Sequence, residues 1–239
     1  TAEKILIAVG ARPHRLDFPG AEDAITSNEA FLLEDIPKKI VIAGGGYIAM
    51  EFAGIFNELG SEVHLVNRSA IILRGYDKDL SARLIKACQD KGITFHFNEM
   101  FDRIVKRETG TFCVELSNSG TLEAETVMFA TGRVPNTDGL GLSSVGAKLG
   151  KRGEVIVNDC SATTASGIYA IGDATDRIQL TPIAIREGQA FAESAFGGLD
   201  SKVDYSFVPS AVFSTPPVAA VGMTEEDALK NYNDVKVYI

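Results

Sequence analysis

Three consecutive glycines, Gly44-Gly45-Gly46, separate two segments whose hydrophobic patterns have different periods. Before them Ile40 to Ala43 is apolar without a break, as suits a strand covered on both faces. After them Ile48, Phe52, Ile55, Phe56 and Leu59 recur at helical steps of three and four, and Gly60 closes the predicted helix. Glu62 to Val66 then returns as a second strand. A strand, a glycine turn, a helix and a strand make a βαβ unit, and in that context Gly44-x-Gly46-x-x-Ala49 is a dinucleotide-binding fingerprint. Gly44 makes the tight turn, and Gly46 lets the backbone approach a pyrophosphate. Ala49 lets the helix close on the strand, so that Tyr47 and Ile48 open a helix whose N–H groups face the anion. Gly45, also without a side chain, adds to the same opening.

The rest of the chain extends this α/β pattern. Asp77 to Lys91 reads as an amphipathic helix capped by Asp77, with Leu80, Leu84 and Ile85 inward, and Ile93 to Phe97 as a third strand. Between Phe101 and Val127 the period falls to two, with a turn at Asn118-Ser-Gly120, which predicts a small antiparallel meander. Leu6 to Pro13 and Met128 to Pro135 echo one another: an apolar strand, a glycine and then a proline that stops continuation. The echo suggests that the chain leaves a neighbouring domain and re-enters it. A strand with Gly172-Asp173 at its end, a helix from about Pro182 to Phe196, and short strands from Phe207 onward follow.

Composition narrows the chemistry. The 239 residues carry 23 basic and 32 acidic side chains, a net charge of −9, which disfavours nucleic acid or an anionic membrane as a partner. No apolar run approaches the ~20 residues of a bilayer span, and the expected location is cytoplasmic. Cys88, Cys113 and Cys160 have no metal-ligand or redox spacing and are expected to be inert; no metal site is expected. The chain begins at Thr1 and ends at Ile239 close to or within strand-like runs, Ile5 to Val9 and Val235 to Ile239, and so reads as an internal piece of a longer polypeptide.

The end of the second strand distinguishes two coenzymes. An NAD site places an acid there to bind the ribose 2′-hydroxyl, whereas this chain has Val66-Asn67, then Arg68 and, six residues on, Arg74. Guanidinium forks suit the doubly charged 2′-phosphate of NADP. Two solvated surface arginines are the alternative.

Val41 to Glu51, Arg68 with Leu73-Arg74, Ala130 to Asn136, Ala170 to Ala174 and Leu180 to Ala184 occur in the order seen in the flavoprotein disulfide reductases, which the whole chain resembles. Tyr47 with the arginine pair is most similar to members that reduce glutathione disulfide, and Val208 to Pro217 resembles the start of their interface domain. The resemblance implies FAD and NADP as cofactors, a homodimer, and cell redox homeostasis as the role. It also implies four segments: 1–10 ending a first FAD segment, 11–135 binding NADP, 136–206 returning to the FAD domain, and 207–239 opening an α+β interface domain.

The resemblance gives roles residue by residue. Tyr47 would cover the flavin and move aside for nicotinamide. Glu51 would lie near both, ion-paired to a lysine of the flavin domain. Gly132, Arg133, Gly172 and Asp173 would meet FAD at its pyrophosphate and ribityl, and Thr181 would approach the isoalloxazine ring. Taken alone, Tyr47 is an aromatic in a first helical turn and Glu51 a solvated glutamate. Val9 stands where the family has threonine, so no side-chain contact is assigned to it. The implied reaction passes hydride from NADPH to flavin, then electrons to a dithiol that opens the substrate disulfide. The family's first FAD fingerprint, C-x4-C dithiol and His-Glu pair have no counterpart here, so the chain alone is expected to be inactive. Members acting on trypanothione or dihydrolipoamide, and a non-catalytic NADPH-binding module, are the alternatives.

Overall fold

The computed structural model describes residues 2–238. Thr1 and Ile239, the ends on which the expectation of an internal piece rests, lie outside them. The chain forms two compact units. One combines the residues up to Arg12 with Arg133–Tyr205, and the other combines Pro13–Gly132 with the residues from Ser206 on. The crossings at 12–13 and 132–133 fall inside the two echoing segments.

The larger unit is built on a four-stranded parallel sheet, in spatial order Thr94–Phe97, Glu62–Asn67, Lys39–Ala43 and Thr126–Phe129. Alternation along the central strand sends Ile40 and Ile42 to one face and Val41 and Ala43 to the other. On the first face lie the helices Tyr47–Glu58 and Lys78–Asp90, which close a core around Met50, Phe56, Leu65 and Leu84. On the second lies the antiparallel meander Phe101–Lys106, Phe112–Leu116 and Gly120–Ala124, packed through Ile104, Val114 and Phe129. Burial on both faces is why the central strand is continuously apolar.

The helix Tyr47–Glu58 buries a narrower arc than its pattern predicts. Ala49, Met50, Phe52, Ala53 and Phe56 are inside, while Ile55 and Leu59 are 44% and 56% exposed. The small Ala49 and Ala53 bring the backbone close to the sheet and leave the two larger residues beyond its rim. Its outer side is met by the segment after Ser206, where Thr215 Oγ1 lies 3.0 Å from the Cβ position of Gly54.

Asp77 occupies the N-cap position but does not cap its own helix. Its Oδ1 instead accepts the N–H of Glu225 at 2.7 Å, at the start of a helix, Glu225–Asn231, that the sequence reading missed. After Ser206 there is one hairpin, Ser210–Val212 with Val218–Ala220. The strand expected from Val235 does not form over 235–238, where no partner strand is available among the described residues.

The smaller unit pairs Ile5–Ile7 in parallel with Ile168–Ala170. Its core gathers Ile7, Leu142, Val155, Ala170 and Ala174, and the helix Thr181–Phe196 follows. Among the described residues no helix is long and apolar enough to cross a membrane.

Candidate functional site

In the larger unit a cavity of about 540 Å³ opens at the C-terminal ends of the parallel strands. Gly44, Gly45 and Gly46 form one wall with Tyr47 and Ile48; Arg68 and Arg74 border it, as does Gly132. The glycines do different work. Gly44 has φ +139, and a Cβ there would sit 2.3 Å from the carbonyl oxygen of Ala130. A Cβ on Gly45 would fall 2.7 Å from the Asn67 carboxamide. A Cβ on Gly46 would meet nothing within 4 Å. Gly46 therefore leaves space in the cavity rather than relieving a clash in the fold.

Gly46 is also the N-cap of Tyr47–Glu58 and, being glycine, makes no side-chain cap hydrogen bond. Such an end attracts an anion through its donors and dipole. Ala49 and Glu51 stand on this helix but do not line the cavity. Ala49 is buried beneath it. Glu51 Oε1 accepts the N–H of Phe213 at 2.9 Å.

The loop after Glu62–Asn67 carries Arg68 and Arg74 as its charged residues. Both are exposed and neither has an ion-pair partner among the described residues. Two carboxylates, Asp17 and Glu99, also border the cavity. Glu99 is turned to the meander, where its Oε2 accepts from Ser117 Oγ at 3.0 Å and the Asn118 N–H at 2.9 Å. Burial would raise its pKa, but hydrogen bonds from Ser119, Asn118 and Ser117 outweigh that and hold it below the ordinary value.

The remaining expected residues belong to the smaller unit. Arg133 Nε lies 3.7 Å from Asp173 Oδ2, and the Arg133 guanidinium also donates to the Ala11 carbonyl. Asp173 sits in a one-turn helix, Gly172–Thr175, which Gly172 opens with φ +65. Thr181 begins the helix Thr181–Phe196, whose N-cap Leu180 offers no side-chain acceptor; in its first turn Pro182 carries no N–H and the Ile183 N–H donates to the Leu180 carbonyl at 3.0 Å. Among the described residues no group of three or more His, Cys, Asp or Glu could hold a metal ion.

A model of the pyridine nucleotide-disulphide oxidoreductases matches residues 1–188, and one of the dimerisation domain of the same enzymes matches residues 208–239. The chain belongs to the pyridine nucleotide-disulphide oxidoreductase family. It is 47% identical to a chloroplastic/mitochondrial glutathione reductase of Pisum sativum, covering all of this chain and 43% of that protein. It is 44% identical to trypanothione reductase of Trypanosoma congolense, covering all of this chain and 49% of that one. A solved copper(II) complex of the HOCl-induced flavoprotein disulfide reductase RclA of Escherichia coli superposes with a TM-score of 0.90. Its identity is 31%, over 95% of this chain and 53% of RclA. The chain thus spans about half the length of the curated relatives it matches.

This member of the pyridine nucleotide-disulphide oxidoreductases also holds a buried acid that the sequence reading passed over. Glu187 is 1% exposed. Its Oε2 accepts the N–H of Gly172 at 2.5 Å, and its Oε1 accepts from Tyr205 Oη at 2.7 Å and Arg177 at 3.0 Å. Arg177 also stacks over the Tyr205 ring, 5.1 Å from its centroid. Burial first, and the hydrogen bond to Glu187 second, push the Tyr205 pKa upward. Glu187 thereby fixes the turn that presents Asp173. Its helical register was a usable signal: Ile183, Glu187 and Phe191 stand four apart, and all three are buried.

Proposed function

We propose that this chain forms the coenzyme-gripping part, and some of the flavin-holding part, of an NADPH- and FAD-dependent disulfide reductase. Its proposed substrate is glutathione disulfide, and its proposed location is the cytoplasm or another aqueous compartment. The observation that carries this reading is the placement of Arg68 and Arg74, neither with an ion-pair partner among the described residues, on the cavity that the glycine turn opens. The space over Gly46 fits a pyrophosphate, which the N-terminal end of Tyr47–Glu58 would bind. The two guanidiniums would take the 2′-phosphate. Tyr47, in the cavity wall, would shield the nicotinamide from water, and Glu51 would stand one helical turn deeper.

In the smaller unit Arg133, Asp173 in the turn that Gly172 opens, and the start of the helix at Thr181 suit a flavin nucleotide. When bound, nicotinamide and flavin supply the two-electron chemistry that disulfide reduction needs. The segments are then 1–10 and 136–206 for FAD, 11–135 for NADP, and 207–239 for the interface of a homodimer, which the match to a dimerisation-domain model supports. Trypanothione disulfide is the second reading, since the trypanothione reductase is 44% identical against 47% for the glutathione reductase.

Steady-state assays of the intact protein test both points. Replacing Arg68 and Arg74 by alanine should lower kcat/KM for NADPH at least about a hundredfold, since hydrogen bonds between charged groups contribute about 1.5–3 kcal/mol each. NADH should be little affected; equal losses would reject the assignment. Glutathione disulfide should turn over faster than trypanothione disulfide, and the reverse would replace the substrate.

A further inference from the structure

Two like charges on a short loop repel one another and favour a spread, mobile backbone unless something holds it. Between Arg68 and Arg74 the holding group is the side chain of Asn67, which is 7% exposed. Its Nδ2 donates to the carbonyls of Ser69 and Ile71, each at 2.9 Å, with Ser69 Oγ at 3.3 Å. Ser69 Oγ in turn donates to the Ile71 carbonyl at 3.0 Å. The far end of the loop is tied back as well, by the Leu73 N–H on the Gly45 carbonyl at 2.7 Å. Leu73 accepts a φ of +49 there, an uncommon conformation for a branched residue. The Asn67 carboxamide lies so close to Gly45 that any Cβ at that position would overlap it. One amide therefore touches both the glycine turn and the arginine loop.

We infer that Asn67 is the positioning residue for coenzyme selection: its amide shapes the 68–74 loop so that both guanidiniums flank the cavity. This rests on the reading that those guanidiniums receive the extra phosphate. The chemistry requires an amide. Aspartate has the same shape, but it would turn acceptors toward the Ser69 and Ile71 carbonyls, which are acceptors themselves. Leucine fills about the same volume, removes the amide donor of the Ser69 carbonyl and leaves the Ile71 carbonyl with Ser69 Oγ alone.

The test compares adenosine 2′,5′-bisphosphate with 5′-AMP, by calorimetry on the intact protein, for wild type, Asn67→Leu and Asn67→Ser. The smaller serine keeps the experiment open should leucine prevent folding. Binding of the bisphosphate should weaken about tenfold or more while 5′-AMP holds steady, so the ratio of affinities falls. A lower folded fraction would weaken both ligands by the same factor, which leaves that ratio unmoved. An unchanged ratio in either folded variant overturns the role of Asn67. The double variant R68A/R74A separates the two readings. If it loses the ratio while the Asn67 variants keep it, only the positioning role fails; if it keeps the ratio, the coenzyme assignment itself fails and the positioning role with it.

Discussion

A side chain on Gly44 would collide with the carbonyl oxygen of Ala130, 2.3 Å from its Cβ, whereas one on Gly46 would point into space that is open within 4 Å. Two neighbouring glycines thus answer to different demands, one to folding and one to the ligand.

Gly44→Ala should therefore destabilise the protein by about 3 kcal/mol or more, because backbone must move and φ +139 is strained for alanine. Gly46→Ala, at φ −86, should melt near the wild-type temperature and lose affinity for NADPH. Thermal melts with and without coenzyme check both, and similar melting losses for the two would contradict the division.

Removing Glu187 leaves the Arg177 charge and the Gly172 N–H without their acceptor. Glu187→Ala should cost about 3–5 kcal/mol, the usual penalty for breaking a buried pair from one side. The double variant Arg177→Met with Glu187→Met should cost less than Glu187→Ala. Urea unfolding of the three proteins gives the comparison, and a double variant weaker than the single would contradict it.

Acid should weaken the fold in two stages. His96, whose Nε2 lies 2.9 Å from His64 Nδ1, has its pKa lowered from 6.5, by burial first and by His64 second. The unfolded chain then binds the proton more readily, so stability falls as pH drops below 6.5 toward the folded-state value. Glu29, held down by the Thr26 hydroxyl and N–H, and Glu62, held down by Lys39 and His64, add a loss below 4.5. Melting temperature against pH should show both stages, and His96→Gln should flatten the upper one. At the alkaline end the raised pKa values of Tyr205, Tyr76 and Cys88 make stability fall as pH climbs through and past their ordinary values, and Tyr205→Phe should lessen that slope.

Cys88 is buried in the core beneath the two helices, and burial pushes its thiol up to about 11. Thiolate is the reactive form, so at neutral pH Cys88 should resist alkylation in the folded protein and react at once in denaturant. Cys113 and Cys160, both partly exposed, should label first. Mass spectrometry of timed reactions would expose the opposite order.

Much of the larger unit could be read from local pattern. The break between Ala43 and Tyr47 from a buried strand to a helix, and the change to period two from Phe101, depend on neighbours in the chain, and the sheet and meander form there. Some of what escaped depends on partners far away in sequence. Asp77 looks like a cap for its own helix until Glu225 is brought to it. Ile55 and Leu59 continue a helical stripe that the sheet is too narrow to cover. Arg68 and Arg74 were legible as cations, but the reason they stand side by side at one cavity is the Asn67 amide, whose acceptors a linear pattern does not display.

The hydrogen bond between Asp77 and Glu225 joins positions 148 residues apart, and it closes a unit that the chain leaves at Gly132 and rejoins at Ser206. During synthesis the nucleotide cradle emerges before the strands that cover the outer side of its first helix. A ribosome paused near Tyr205 would hold a half-dressed cradle with Gly54 and Cys88 still uncovered, and chaperone binding should peak at that length.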